Sequence, residues 1–261
     1  MESAEYHHAL ALLEWQVELG VLDGVQDTPV NRYEVPATVE KPKKPAAPAA
    51  MPVGNVAPPK VDAVAEAERA AAGAQTLEAL RDAMAQFPHC ELKKGARNLV
   101  FSDGIPGAPV MLVGEAPGRD EDREGRPFVG RAGQLLDKML GAIDMGRTRA
   151  DAPVYITNVL PWRPPQNRDP RPEEIAMMRP FLMRHIALAK PKVLVIVGNW
   201  SCQALLAKRG ITRLRGTWTR VGDLPALPMF HPAYLLRSPE FKREAWADLL
   251  SLKAKLREGM Q

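Results

Sequence analysis

The chain has 261 residues, 46% of them hydrophobic, and sets 35 Lys and Arg against 31 Asp and Glu for a formal charge of +4. That length holds one sizeable domain plus added segments. No apolar run reaches the roughly 18 residues of a membrane span, and no signal peptide shows where Glu2 and Glu5 precede the first apolar stretch. Two distant cysteines, Cys90 and Cys202, exclude a disulfide framework and a cysteine-only metal site, so a reduced, cytoplasmic protein is expected.

Residues 1–35 form an N-terminal helical segment. Tyr6, Leu10, Leu13 and Val17 recur at spacings of four and three, which places them on one helix face, and Gly20 is a natural stop. That face either docks on the main domain or offers a protein partner a helix. Residues 36–60 hold seven prolines and no aromatic residue, a composition that forms an extended linker and buries no core. Residues 61–261 then form the main domain. Its first part, to about residue 86, reads as one or two helices divided near Gly73, with Thr76 as a helix start.

From residue 108 the pattern becomes strand, loop, helix, repeated. Candidate strands are Pro109 to Val113, Val154 to Thr157, Val193 to Val197 and Leu227 to Phe230. Each is a short, continuous apolar run, as in strands buried on both faces. Helical stretches fall at about 132 to 142, 172 to 189, 200 to 208 and 239 to 257, and residues 211 to 222 read as a hairpin or an irregular crossover. The alternation predicts a three-layer α/β/α sandwich around a central four-stranded parallel sheet.

In such a sheet, ligands bind beyond the carboxyl ends of the strands. The residues there are Gly114 and Glu115, then Asn158, then Gly198 and Asn199, then His231 and Pro232. A carboxylate, a carboxamide and an imidazole thus share one rim. Each has a bland role open to it: a turn cap for Asn158, a satisfied buried histidine for His231, a helix cap for Glu115. Arginines cluster at Arg163, Arg168, Arg171, Arg179 and Arg184, and Lys208, Arg209, Arg213, Arg215 and Arg220 make a second basic run, which fits a polyanionic partner.

The runs GEAPGRDEDREGRPFVGRAGQLLD, VYITNVLPWRPPQNRDP and FHPAYLLRSP resemble the signature motifs of the uracil-DNA glycosylase superfamily, nearest to its family 4. The resemblance runs from about Cys90 to the C-terminus. It implies an enzyme that flips uracil out of DNA and hydrolyses its N-glycosidic bond in base-excision repair, with uracil-containing DNA as its partner. Phe128 would stack on the base, and Asn158 would read uracil N3–H and O4. His231 would donate to O2 of the leaving anion. Glu115 is the first choice for the water or the cationic sugar, with Glu121 and Asn167 second, and the backbone amides of Ala116 and Gly118 are further contacts to the base. Pro164, Pro165, Gln166 and Arg168 would press one DNA strand, while Leu235, Leu236 and Arg237 would enter the gap left by the flipped base. Other deaminated bases are open as substrates, and a non-catalytic lesion binder on the same fold is the rival reading.

The resemblance has one break. Family 4 carries four cysteines that hold an iron–sulfur cluster, and the matching positions here are Phe87, Cys90, Trp162 and Met178. One ligand of four remains, so no cofactor and no metal are expected, with Trp162 and Met178 filling the volume instead. The proline loop WRPPQNRDP lacks a histidine-bearing insert, so turnover rather than a covalent adduct is expected, by a monomer.

Overall fold

The structure, a computed structural model, describes residues 62–258 together with Tyr6, His7, Leu10 and Leu12. The chain divides into two units, Met1–Ala57 and Pro58–Gln261. In the first, Tyr6 and Leu10 are helical and exposed, while Leu13, Val17 and the linker at 36–60 lie outside the described residues.

The second unit opens with α1 (Ala63–Gly73) and α2 (Leu77–Gln86), separated just past Gly73. Each starts on a side-chain cap: Asp62 accepts from Val64 and Ala65, and Thr76 accepts from Ala79. A short α3 (Leu92–Gly95) leads into the alternating region. There the order is β1 (Asp103–Gly104), β2 (Val110–Gly114), α4 (Arg119–Glu124), α5 (Arg131–Gly141) and β3 (Val154–Asn158). It continues through α6 (Pro172–Ala189), β4 (Val193–Val197), α7 (Asn199–Leu206), α8 (Ile211–Leu214), β5 (Thr219–Val221) and β6 (Leu224–Met229). The last helices are α9 (Pro232–Arg237) and α10 (Lys242–Glu258).

The sheet has six strands in the order β1-β3-β2-β4-β6-β5. Its inner four are parallel and are the four read from the sequence; β1 and β5 add an antiparallel edge at either side. The expected four-stranded sheet is corrected to this mixed one. The edge strands span two and three residues, too short to show any alternation. Short edges of this kind also protect a sheet from pairing with another chain.

Side chains alternate across the pleat and divide the core in two. Met111, Val113, Leu194 and Ile196 pack with Ala67, Leu80, Phe181 and Cys202 of α1, α2, α6 and α7. Val110, Leu112, Val193 and Val195 pack with Leu136 and Leu140 of α5 and Leu249 and Leu252 of α10. This is a three-layer arrangement. Parallel register aligns the strand ends, with Gly114 opposite Asn158 and Val197 opposite Met229, so the residues that follow emerge on one rim.

Candidate active site

A cleft of about 320 Å³ opens at that rim. Glu115, Asn158 and His231 all line it, although the chain separates them widely, and so do Ala116, Gly118, Glu121 and Phe128. Pro164, Asn167, Arg168 and Arg237 line it as well. Pro165, Gln166, Leu235 and Leu236 do not line it.

Asn158 ends β3 and is 6% exposed, and among the described residues its Oδ1 has no hydrogen-bond partner. A buried acceptor left unsatisfied costs about 1–3 kcal/mol; the buried side-chain oxygens of Gln203 and Glu244 also lack partners among the described residues, but of the three only Asn158 lines the cleft. Its strand neighbour must be glycine: a Cβ on Gly114 would lie 2.5 Å from the Phe128 ring and collide with Asn158 Oδ1.

Phe128 stands over this floor, its ring stacked on His231 at 5.4 Å between centroids and 28° between planes. Its φ is +54°, a conformation that costs a non-glycine residue about 1–2 kcal/mol. Glu121 supports the loop. One carboxylate oxygen accepts from the N–H groups of Val129 and Gly130, both at 2.9 Å, and the other accepts from Gly118 at 3.1 Å. Two expectations change as a result. Glu121 acts as a loop clamp, with both oxygens engaged by backbone, and the Gly118 amide donates to Glu121 instead of remaining free for a base. Gly133, in the first turn of α5, completes the fit, because any Cβ there would run into the Phe128 carbonyl.

His231 caps α9: its Nδ1 accepts the Ala233 N–H at 3.1 Å. That bond fixes the tautomer, leaving Nε2 to carry the proton. Burial, reinforced by Arg237, lowers its pKa to about 4, so the imidazole is a neutral donor at ordinary pH.

Glu115 reaches across to the start of α7. Its Oε1 accepts the Trp200 N–H at 3.1 Å, and it occupies the space that a Cβ on Gly198, at φ +96°, would take. Burial raises its pKa, opposed by the backbone N–H groups of Trp200 and Asn199. The cap role left open by the sequence is therefore real, but on α7, the helix after β4. A carboxylate is stabilised there by the helix dipole.

Asn167 has φ +54° and Gln166 φ +55°, so the proline loop is locally strained. The Asn167 Oδ1 accepts from Arg163 Nε at 2.7 Å. Arg168 forms a forked pair with Glu174 at 2.5 and 3.0 Å, while Glu174 also caps α6 through the Arg171 N–H. Several arginines of the basic runs are tied into the fold in this way: Arg179 to the Ala204 carbonyl, Arg184 to that of Ala74, and Arg215 to Asp248.

The leucine pair separates. Leu235 is 1% exposed and belongs to the core, which corrects its reading as a wedge, while Leu236 is 37% exposed. Successive residues on a helix point about 100° apart, so only one of two neighbours faces outward.

The positions that match the family's cluster ligands are closed by packing. Phe87, Cys90, Trp162 and Met178 are each at most 4% exposed within one apolar cluster. Burial pushes the Cys90 thiol up to about 11, which keeps it protonated. Among the described residues no group of three or more His, Cys, Asp or Glu gathers to hold a metal ion. One protonated sulfur amid apolar side chains does not fit an iron–sulfur cluster.

The comparisons agree with this geometry. The model of the family described as "Uracil DNA glycosylase superfamily" matches residues 101–250. A protein named Type-4 uracil-DNA glycosylase from Sulfurisphaera tokodaii is 39% identical over 187 residues, covering 68% of this chain and 84% of that protein. Relatives of the same name from Archaeoglobus fulgidus (40% over 168 residues; 61% and 82% covered) and Thermotoga maritima (37% over 187; 69% and 94%) are similar. By the family model and these relatives, the chain belongs to the uracil DNA glycosylase superfamily.

Proposed function

We propose that this chain is a monofunctional hydrolase that removes uracil from DNA and leaves an abasic site, the first step of base-excision repair. The observation that carries the reading is the buried Asn158 carboxamide, whose acceptor has no partner at the floor of a cleft walled by Phe128 and His231. A flipped uracil stacked on Phe128 presents N3–H to Asn158 Oδ1 and O4 to its amide N–H, and cytosine presents the reverse pattern. As the C1′–N1 bond breaks, its electron pair passes to the base. The neutral His231, donating through Nε2, stabilises the charge on O2. Water attacks C1′ and gives up a proton, while Glu115 at the cleft's edge supplies negative charge toward the cationic sugar and accepts that proton.

On the DNA side, Leu236 and Arg237 at the end of α9 enter the gap in the duplex, and Pro165 and Gln166 press the strand beside it. We place the enzyme in the cytoplasm as a monomer of three parts, namely the helical segment 1–35, the linker 36–60 and the catalytic domain 61–261. The N-terminal segment binds a protein partner. No helix among the described residues is long and apolar enough to cross a membrane.

A glycosylase assay on oligonucleotides bearing one uracil, read by alkaline strand cleavage, tests the reading. The wild type releases uracil, and Asn158→Ala lowers the single-turnover rate by roughly 10²–10³-fold, the usual effect of removing a transition-state hydrogen bond. Tight binding to abasic DNA with no uracil release would instead establish a lesion binder.

A further inference from the structure

The strained Phe128 loop is held by a residue far from the motifs. Arg147 lies between α5 and β3, outside the cleft, with its side chain 11% exposed. Its guanidinium donates to the Pro127 carbonyl at 3.0 Å and to the Phe128 carbonyl at 2.9 Å. The same group is fixed from behind, by Asp103 of β1 at 2.8 Å and Asp137 of α5 at 2.9 Å. Its planar fork thus ties an edge strand and a helix to two successive carbonyls of one loop. A lysine ammonium lacks the fixed fork needed to copy that arrangement.

The geometry around Phe128 is closed from both directions. Glu121 takes the two N–H groups that follow the ring-bearing residue, and Arg147 takes its own carbonyl and the one before it. Between those four bonds the residue is kept at φ +54°. Gly133 leaves the Phe128 carbonyl room, and Gly114 leaves the ring room. Without Arg147 the two carbonyls lose their donors, and the loop can relax toward an ordinary φ, which swings the ring off the Asn158 floor.

We infer that Arg147 is a positioning residue for uracil excision, acting through Phe128: it locks the ring at the height where a flipped base lies flat on it with its edge toward Asn158. The inference rests on the reading of Phe128 as the base-stacking platform. It adds a determinant of base capture that touches neither base nor DNA.

The test is a double-mutant cycle on the full chain with Arg147→Met, Arg147→Lys, Phe128→Leu and Arg147→Met combined with Phe128→Leu. Three quantities are measured: the single-turnover rate on a uracil oligonucleotide, the affinity for a tetrahydrofuran abasic analogue, and the thermal midpoint. Misplacing a reacting group by about 1 Å is worth up to 10²-fold in rate, so Arg147→Met is expected to lose at least about tenfold. Affinity for the abasic analogue, which has no base to stack, stays within roughly twofold because residues that act through different contacts contribute independently. In the Phe128→Leu background, Arg147→Met has no further effect on rate. Arg147→Lys keeps a cation between Asp103 and Asp137, so it carries the same comparison should Arg147→Met fail to fold, and it too excises slowly. An additive effect in the double mutant, or a wild-type rate in both Arg147 variants, overturns the inference. A wild-type rate in Phe128→Leu overturns the platform assignment beneath it, and that arm alone distinguishes the two failures.

Discussion

Two regions of the domain deal with polar chemistry in opposite ways. At the cleft, costs are retained: Asn158 buries an acceptor without a partner, Phe128, Gln166 and Asn167 hold positive φ, and Glu115 keeps a carboxylate whose pKa burial raises. At the corner where the family resemblance implies cysteine ligands, Phe87, Trp162 and Met178 fill the space with carbon, and Cys90 remains as a protonated thiol. Strain and unsatisfied groups persist in a fold only where the surroundings over-determine them, and they cluster at functional sites. The contrast separates what this chain is proposed to keep for reaction from what it keeps for stability.

Exchanging the two kinds of substitution tests that contrast. Asn158→Ala carries the largest expected change in rate and should leave the thermal midpoint nearly unmoved or raised, because it removes an unsatisfied buried acceptor. Trp162→Ala should do the reverse. Truncating a buried tryptophan costs about 3–5 kcal/mol, and at roughly 2–4 °C per kcal/mol for a domain of this size the midpoint drops by about 10 °C. Its single-turnover rate at a temperature where both proteins are folded should stay close to wild type. A rate loss in Trp162→Ala as deep as in Asn158→Ala would erase the distinction.

Iron gives a smaller readout. Protein expressed with and without added iron, then treated with a chelator, should keep its midpoint and excision rate throughout. Stoichiometric iron and acid-labile sulfide in the purified chain would sink the packing account.

The pH response should be smallest near neutrality. Folded His231 stays neutral down to about 4, and His185, buried against Phe101 and Tyr155, down to about 3. The unfolded chain protonates both near 6.5. Between those values the unfolded state binds more protons, so stability is full above about 6.5 and declines as the pH falls toward 4. Excision should pass through 6.5 without an inflection and fall only as Glu115 protonates, at a pH above its ordinary 4.5. An inflection near 6.5 that disappears in His231→Asn would show that the imidazole titrates normally.

Most of the architecture was legible because it rests on local pattern. The four inner strands are continuous apolar runs, and the cap Thr76 precedes its helix in sequence. The rim residues could be read because parallel register places strand ends together. What escaped depends on contacts across the fold. Asp103–Gly104 has no strand pattern of its own and pairs only because β3 is beside it. Leu235 and Leu236 look alike in sequence, and the direction of α9 alone sends one inward. Arg147 is 19 residues from the carbonyl of Phe128 that it holds, a link that no spacing rule announces. Glycine gave one usable signal: Gly133 in the first turn of a helix is unfavourable there unless backbone must approach closely.

The two nitrogens of His231 face different tasks. Nδ1 holds the first turn of α9, the helix that carries Leu236 and Arg237, and in the proposed reaction Nε2 donates to the departing base. Rotating the ring away from the base would free the Ala233 N–H and loosen that helix. In the proposed mechanism the hold on the opened duplex and the donor that assists bond breaking therefore share one hinge pin, and neither can be set correctly while the other is displaced.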